Sequence, residues 1–125
     1  MLIEILQPDF VFEDDRGTMA QLVRKGFNQV NVITSKANSF RGGHYHQINR
    51  EAFYVISGEI KLVLRKDDET ETLKFSAGDM FAIRPLVSHD FFYITDTVLI
   101  SMYDRGVELE NGEKDIVKDV STHGD

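Results

Sequence analysis

Hydrophobic and polar positions alternate in this chain over short runs, and no stretch keeps the period of about 3.6 residues that marks an amphipathic helix. Residues 60–66 are typical. Ile60, Leu62 and Leu64 fall on one face, and Lys61, Val63 and Arg65 fall on the other, as in a half-buried strand. Residues 2–6, 10–13, 19–25, 29–35, 51–57, 71–75, 80–83, 88–95 and 97–103 read as further strands. Turn formers punctuate them: Asp14-Asp15-Arg16-Gly17, Gly42-Gly43, Asp67-Asp68-Glu69 and Asn111-Gly112. Residues 51–57 and 60–66 are expected to pair as a hairpin about Gly58-Glu59. Residues 116–120 are expected to add an edge strand, to a partner chain, and residues 121–125 to fray. Many short strands without helices predict an all-β fold, a small antiparallel barrel or sandwich. The expected organisation is one domain over residues 1–125, with its core at 10–103 and an extension at 106–125.

Strand parity then groups side chains. Glu51, Phe53 and Val55 share one face, and His89, Phe91 and Tyr93 share another. A wall that mixes ionisable groups with aromatics suits a ligand cavity better than a solid core. Phe10, Phe12, Phe53, Phe81, Phe91 and Phe92 are expected in the core. His44 and His46, two apart, point the same way in an extended chain. Parity alone sends Glu51 to the opposite face, and a turn at residues 47–50 would reset it. With His89, three imidazoles and one carboxylate form a ligand set for a divalent transition metal, namely Zn, Mn, Fe, Ni or Co. The bland alternative is a set of ordinary loop or core histidines.

Composition narrows the classes further. The chain has 125 residues, 42% hydrophobic and 28% charged, with a formal net charge of -7. The acidic balance argues against a nucleic-acid partner. No cysteine is present, so thiolate and disulfide chemistry are excluded. The first residues show neither a basic leader nor a long apolar run, so no membrane partner is expected and the expected location is cytoplasmic.

The residues also resemble a family. His44-x-His46-x4-Glu51-x6-Gly58 resembles the first motif of the cupins, and Gly78-x6-Pro85-x3-His89 resembles the second. The second departs from the pattern in its proline position, at Val87 and at Tyr93. The resemblance implies a small antiparallel β-barrel, a cupin jelly-roll, with a metal at His44, His46, Glu51 and His89. Phe12-x-Asp14-x-Arg16-Gly17 followed by Arg41-Gly-x-His44-Tyr45 is similar to the sugar-nucleotide cupins, the dTDP-4-keto-sugar epimerases and ketoisomerases. Asp14 to Gly17 also reads simply as a tight turn with an Asp–Arg contact.

That second resemblance implies a catalytic base at His44, a second histidine at His46 and an acid at or beside Tyr103. Arg41 would hold the nucleotide phosphates. Arg84 and Tyr93 are further substrate-binding candidates, and Tyr45, Tyr54 and Lys61 further acid–base candidates. The chain departs from the epimerases where their enolate-stabilising lysine falls on Glu51. The expected function is therefore a metal-binding isomerase or epimerase of keto-sugar nucleotides in surface-polysaccharide biosynthesis, probed against two alternatives. One is a metal-dependent dioxygenase, or another small-molecule cupin enzyme; the other is a non-catalytic carbohydrate-binding module. A homodimer is expected, because small sheets leave edges to cover.

Overall fold

The strands form two five-stranded antiparallel sheets packed face to face, with a separate two-stranded ribbon. The structure is a computed structural model and describes residues 1–119. Val120 and residues 121–125, including the expected frayed end, lie outside the described residues. In chain order the strands are β1 (Ile3–Leu6), β2 (Phe10–Asp14), β3 (Gly17–Gln21), β4 (Gln29–Ser35), β5 (Phe40–Tyr45), β6 (Glu51–Ser57), β7 (Glu59–Lys66), β8 (Glu69–Ser76), β9 (Met80–Ile83), β10 (Ser88–Tyr93), β11 (Thr97–Tyr103) and β12 (Val117–Lys118). The first sheet has the order β1-β9-β6-β11-β4 and the second β12-β5-β10-β7-β8, while β2 pairs only with β3. This is the all-β cupin jelly-roll expected. Among the described residues no helix is long and apolar enough to cross a membrane.

Alternation fills the space between the sheets. Phe53 and Val55 of β6, Phe81 and Ile83 of β9 and Leu99 of β11 face Ile60, Leu62 and Leu64 of β7 and Phe91 and Tyr93 of β10. Phe81 stacks between Phe53 and Phe75, at centroid distances of 5.2 and 4.2 Å. Each fully buried side chain of this size contributes roughly 1.5–3 kcal/mol. The first sheet is apolar on its outer face too. Ala52, Met80, Ala82 and Met102 form a second cluster there, closed by Leu22, Val23 and Phe27.

Five expectations are corrected. Residues 51–57 and 60–66 do not form a hairpin, because β6 pairs with β9 and β11 while β7 pairs with β8 and β10. The chain crosses from one sheet to the other at Gly58. Its φ of +96° suits glycine, and a Cβ there would meet the Asp96 carbonyl and Thr97. The strand expected at 19–25 stops at Gln21, because Leu22 and Val23 are taken up by the outer cluster. Phe10 and Phe12 are 50% and 46% exposed, because a ribbon paired only with itself has no interior. Phe92 faces outward beside Phe40, since it is out of phase with His89, Phe91 and Tyr93. The C-terminal edge strand forms as the short β12, but it pairs with β5 of its own chain.

Candidate functional site

A β-bulge builds the site. In the pairing of β5 with β10, His44 lies opposite His89 and Gly42 lies opposite Asp90, so Gly43 is the extra residue. Gly42 and Gly43 have φ of +132° and +72°. A Cβ on Gly42 would run into the His89 carbonyl and Asp90. The N–H of Gly43, which the bulge removes from the ladder, donates to the buried Asp90 carboxylate at 2.7 Å. One extra residue inverts the phase of β5. Arg41 and His44, three apart, therefore line the same cavity.

Three imidazoles converge there. One ligand nitrogen each from His44, His46 and His89 lie within 4.8 Å of one another. His44 Nε2 is 3.2 Å from His89 Nε2. His89 Nδ1 faces the Val87 carbonyl at 3.1 Å and His46 Nδ1 faces the Asp115 carbonyl at 2.6 Å. A carbonyl only accepts, so both Nδ1 atoms carry hydrogen, and both Nε2 atoms turn toward the cluster. Histidines that ligate metals are oriented in this way. Glu51 Oε1 stands 3.0 Å from His46 Nε2 and 3.9 Å from His89 Nε2. Tetrahedral ligands bonded at about 2.1 Å stand about 3.4 Å apart, so the three imidazole nitrogens would have to draw closer to hold a divalent ion, and Glu51 stands beside that group rather than within it.

Burial separates the protonation states. Burial holds His89 down at about 4 against the opposing charge of Glu51, so it is neutral near pH 7. Burial, then the charge of His46, also lowers the half-buried His44. For His46 burial acts downward, but the Glu51 hydrogen bond and charge and the Asp115 carbonyl outweigh it and raise its pKa. Burial pushes Glu51 upward, and the His46 hydrogen bond, the imidazole charges and Ser101 outweigh that and lower it. Each thus favours the charged form of the other. Ser101 Oγ donates to Glu51 Oε2 at 2.5 Å. Tyr103 meets the His46 ring edge to face at 5.1 Å, and burial, then the Glu51 charge, raises its phenol.

The cavity is about 110 Å³, lined by Arg41, His44, Glu51, His89, Tyr93 and Tyr103 among others. His46 is not among its lining residues. Arg41 is held at the mouth by Ser35 Oγ at 3.0 Å and the Thr34 carbonyl at 3.2 Å. Tyr93 also meets Ser35, and burial raises its phenol. Arg84 is not brought to the cavity: it lies 3.4 Å from Glu4, largely exposed, on the far side of β9. Tyr54 faces the outer cluster, Lys61 lies over the outward Phe92, and Tyr45 lines a separate surface groove. Asp14 and Arg16 make the tight turn, with Arg16 Nη2 2.6 Å from Asp14 Oδ2. His123 lies outside the described residues. Sequence reasoning missed Ser101, which shares a face with Tyr103, and Asp115, which sits in an acidic stretch without pattern.

Fold and site together define a cupin jelly-roll with a histidine-lined cavity. The chain belongs to the polysaccharide biosynthesis C-terminal domain family, which matches residues 12–107. Its fold resembles that of QdtA, a sugar 3,4-ketoisomerase from Thermoanaerobacterium thermosaccharolyticum solved with TDP. The TM-score is 0.79 at 19% identity, over 98% of this chain and 91% of that one. It also resembles dTDP-4-dehydrorhamnose 3,5-epimerase from Bacillus anthracis, solved with TDP and PPi, with a TM-score of 0.67 at 24% identity over 82% and 71% of the two chains. A third likeness is ChmJ, a 3′-monoepimerase from Streptomyces bikiniensis solved with dTDP-quinovose, with a TM-score of 0.68 at 19% identity over 82% and 64%. At these identities the likeness is one of fold. No curated protein sequence matches the chain.

Proposed function

We propose that this chain takes a nucleotide-linked keto sugar and moves the proton beside its ketone, as an isomerase or epimerase of polysaccharide biosynthesis. The observation that carries this reading is the bulge that turns Arg41 and His44 to one cavity wall, with His44 neutral there. A neutral imidazole accepts a proton near its own pKa. The Arg41 guanidinium suits the diphosphate. Tyr103, its phenol held protonated, donates toward the oxygen on which charge develops. The cavity has room for only about four waters' volume, so the reacting edge of the sugar enters and the nucleotide lies across the mouth. The TDP and TDP-sugar ligands of the fold neighbours support that substrate class.

The cluster also fits a divalent transition metal, with His44, His46, His89 and Glu51 as ligands. The supporting observation is that both buried imidazoles commit Nδ1 to a backbone carbonyl. Such an ion would supply a Lewis acid for the ketone oxygen. His46 would give up its Nε2 proton on binding it, and His44 would lose the lone pair a base needs, so the two readings compete at His44.

The test is hydrogen exchange. Incubated with TDP-4-keto-6-deoxyglucose in deuterated water, the protein is expected to put deuterium beside the ketone, read by mass spectrometry, and His44→Asn to abolish the gain. Absence of exchange with this and other keto-sugar nucleotides overturns the isomerase reading. Elemental analysis of protein purified without chelator is expected to find about one divalent ion per chain. Protein that stays metal-free after incubation with Zn, Mn, Ni and Fe(II) overturns the metal reading and leaves His44 free as the base.

A further inference from the structure

The histidine cluster leans on a segment that lies beyond the residues matched by the family, which end at residue 107. Asp115 in that segment is 3% exposed, and both of its oxygen-bearing groups face the connection between His46 and Glu51. Its carbonyl accepts the Nδ1–H of His46 at 2.6 Å. Its carboxylate accepts three successive backbone N–H groups, from Gln47 at 2.8 Å, Ile48 at 3.0 Å and Asn49 at 2.9 Å. It also accepts the side-chain amide of Asn49 at 2.8 Å. Asn49 is fully buried and tied in turn to Gly106, through its Oδ1 and its Nδ2. The segment then continues as β12, where Lys118 lies opposite His44 and the Asp119 N–H donates to the Gly43 carbonyl at 2.7 Å.

Residues 47–50 form the turn that must reset strand phase if Glu51 is to reach His46. A turn of three consecutive N–H groups aimed at one point needs an acceptor there, and a carboxylate is a side chain that only accepts. Asn at this place would turn an N–H₂ toward one of those donors. Asp115 does not line the cavity, so it is not a catalytic residue.

We propose that Asp115 is a positioning residue for the histidine cluster. It locks the His46 ring through the main chain and the 47–49 turn through the side chain, so that Nε2 faces the cavity and Glu51 arrives beside it. The C-terminal segment thereby becomes part of the working site. The proposal rests on the reading that His44, His46, Glu51 and His89 form that site.

The test uses Asp115→Ala and Asp115→Asn in the full chain, with two readouts. One is the His46 Nδ1–H proton in NMR, protected from solvent exchange by its carbonyl. The other is cobalt(II) affinity, read from the visible absorption of the bound ion. Asp115→Ala keeps the main-chain carbonyl but releases the 47–49 turn that the carboxylate docks, so it is expected to reduce protection of the proton and to weaken cobalt binding by roughly 10–100-fold, with the β circular dichroism retained. Asp115→Asn, keeping one acceptor oxygen, is expected to fall between it and the wild type. If both variants keep the protected proton and wild-type cobalt affinity while only the melting temperature falls, Asp115 is merely structural and the proposal is overturned. If the alanine variant does not fold, the asparagine variant decides by the same readouts. If the wild type takes up no cobalt, the metal reading fails and the Nδ1–H signal alone decides on Asp115.

Discussion

At the scale of single residues, this chain departs from a solid hydrophobic core at Glu51. A carboxylate 3% exposed is tolerated because His46 donates at 3.0 Å and Ser101 at 2.5 Å. The depressed pKa of Glu51 and the raised pKa of His46 are two views of one contact, and their directions agree. Removing one partner of such a pair strands the other charge. Glu51→Gln is therefore expected to lower the His46 pKa, followed by NMR titration of the ring, and to destabilise the fold by about 3–5 kcal/mol, read by denaturant unfolding. An unchanged His46 titration would show that the Asp115 carbonyl, not Glu51, holds the proton. The same variant also bears on chemistry. Loss of metal together with loss of proton exchange assigns enolate stabilisation to the ion, whereas exchange retained without metal assigns the work to the imidazoles.

At the scale of elements, two glycine positions do what no other residue does as well. Gly42 admits the His89 backbone and makes the bulge, and Gly58 lets the chain leave one sheet for the other. The contrast with Gly78 is informative. Gly58 and Gly78 have nearly equal φ, +96° and +94°, but a Cβ on Gly78 meets nothing within 4 Å. Backbone strain of this kind costs about 1–3 kcal/mol. Gly58→Ala adds to it a collision with the Asp96 carbonyl, so it is expected to lose clearly more stability than Gly78→Ala in matched urea titrations. Equal losses would mean that strain alone matters and that the β11 entry yields freely. The expectation of a hairpin at Gly58 failed at this scale. Two adjacent strands with a tight turn between them look the same in sequence whether they pair with each other or part to opposite sheets.

At the scale of the whole molecule, ion pairs tie the N-terminal strand to the site's frame. Glu4 of β1 takes Arg50 Nε at 2.9 Å, and Arg50 precedes Glu51 directly. The Arg50 hydrogen bond lowers the Glu4 pKa against the opposing effect of burial. A carboxyl depressed in the folded state stabilises it at pH above the unfolded value of 4.5, and that contribution fades as pH falls through the folded value. The pair is partly exposed, so its worth is under about 1 kcal/mol. Glu4→Gln is expected to lower the melting temperature slightly at pH 7 and not at all near pH 2, where the wild-type carboxyl is protonated too. A melting-temperature difference that persists unchanged at low pH would assign the effect to packing.

The sequence by itself determined the class of fold and pointed to the histidines that converge. Alternation at Ile60, Leu62 and Leu64, and at His89, Phe91 and Tyr93, is a local property, so β-structure and facing were legible from spacing alone. Strands β4, β6, β9 and β11 begin and end where the pattern begins and ends. The spacing of His44 and His46 placed those two on one side of an extended chain, whereas strand pairing and the 47–50 turn brought His89 and Glu51 to them. Only the tertiary structure decided which strands pair, since any two amphipathic strands satisfy the same local pattern. It also decided that the ribbon bearing Phe10 and Phe12 stays outside the core, that Arg84 goes to Glu4 rather than to the cavity, and that Asp115 comes to His46 across 69 positions of chain. Each of those outcomes is a competition between distant partners for one surface, donor or charge. The energy that settles such a competition exists only once the chain has brought the competitors together.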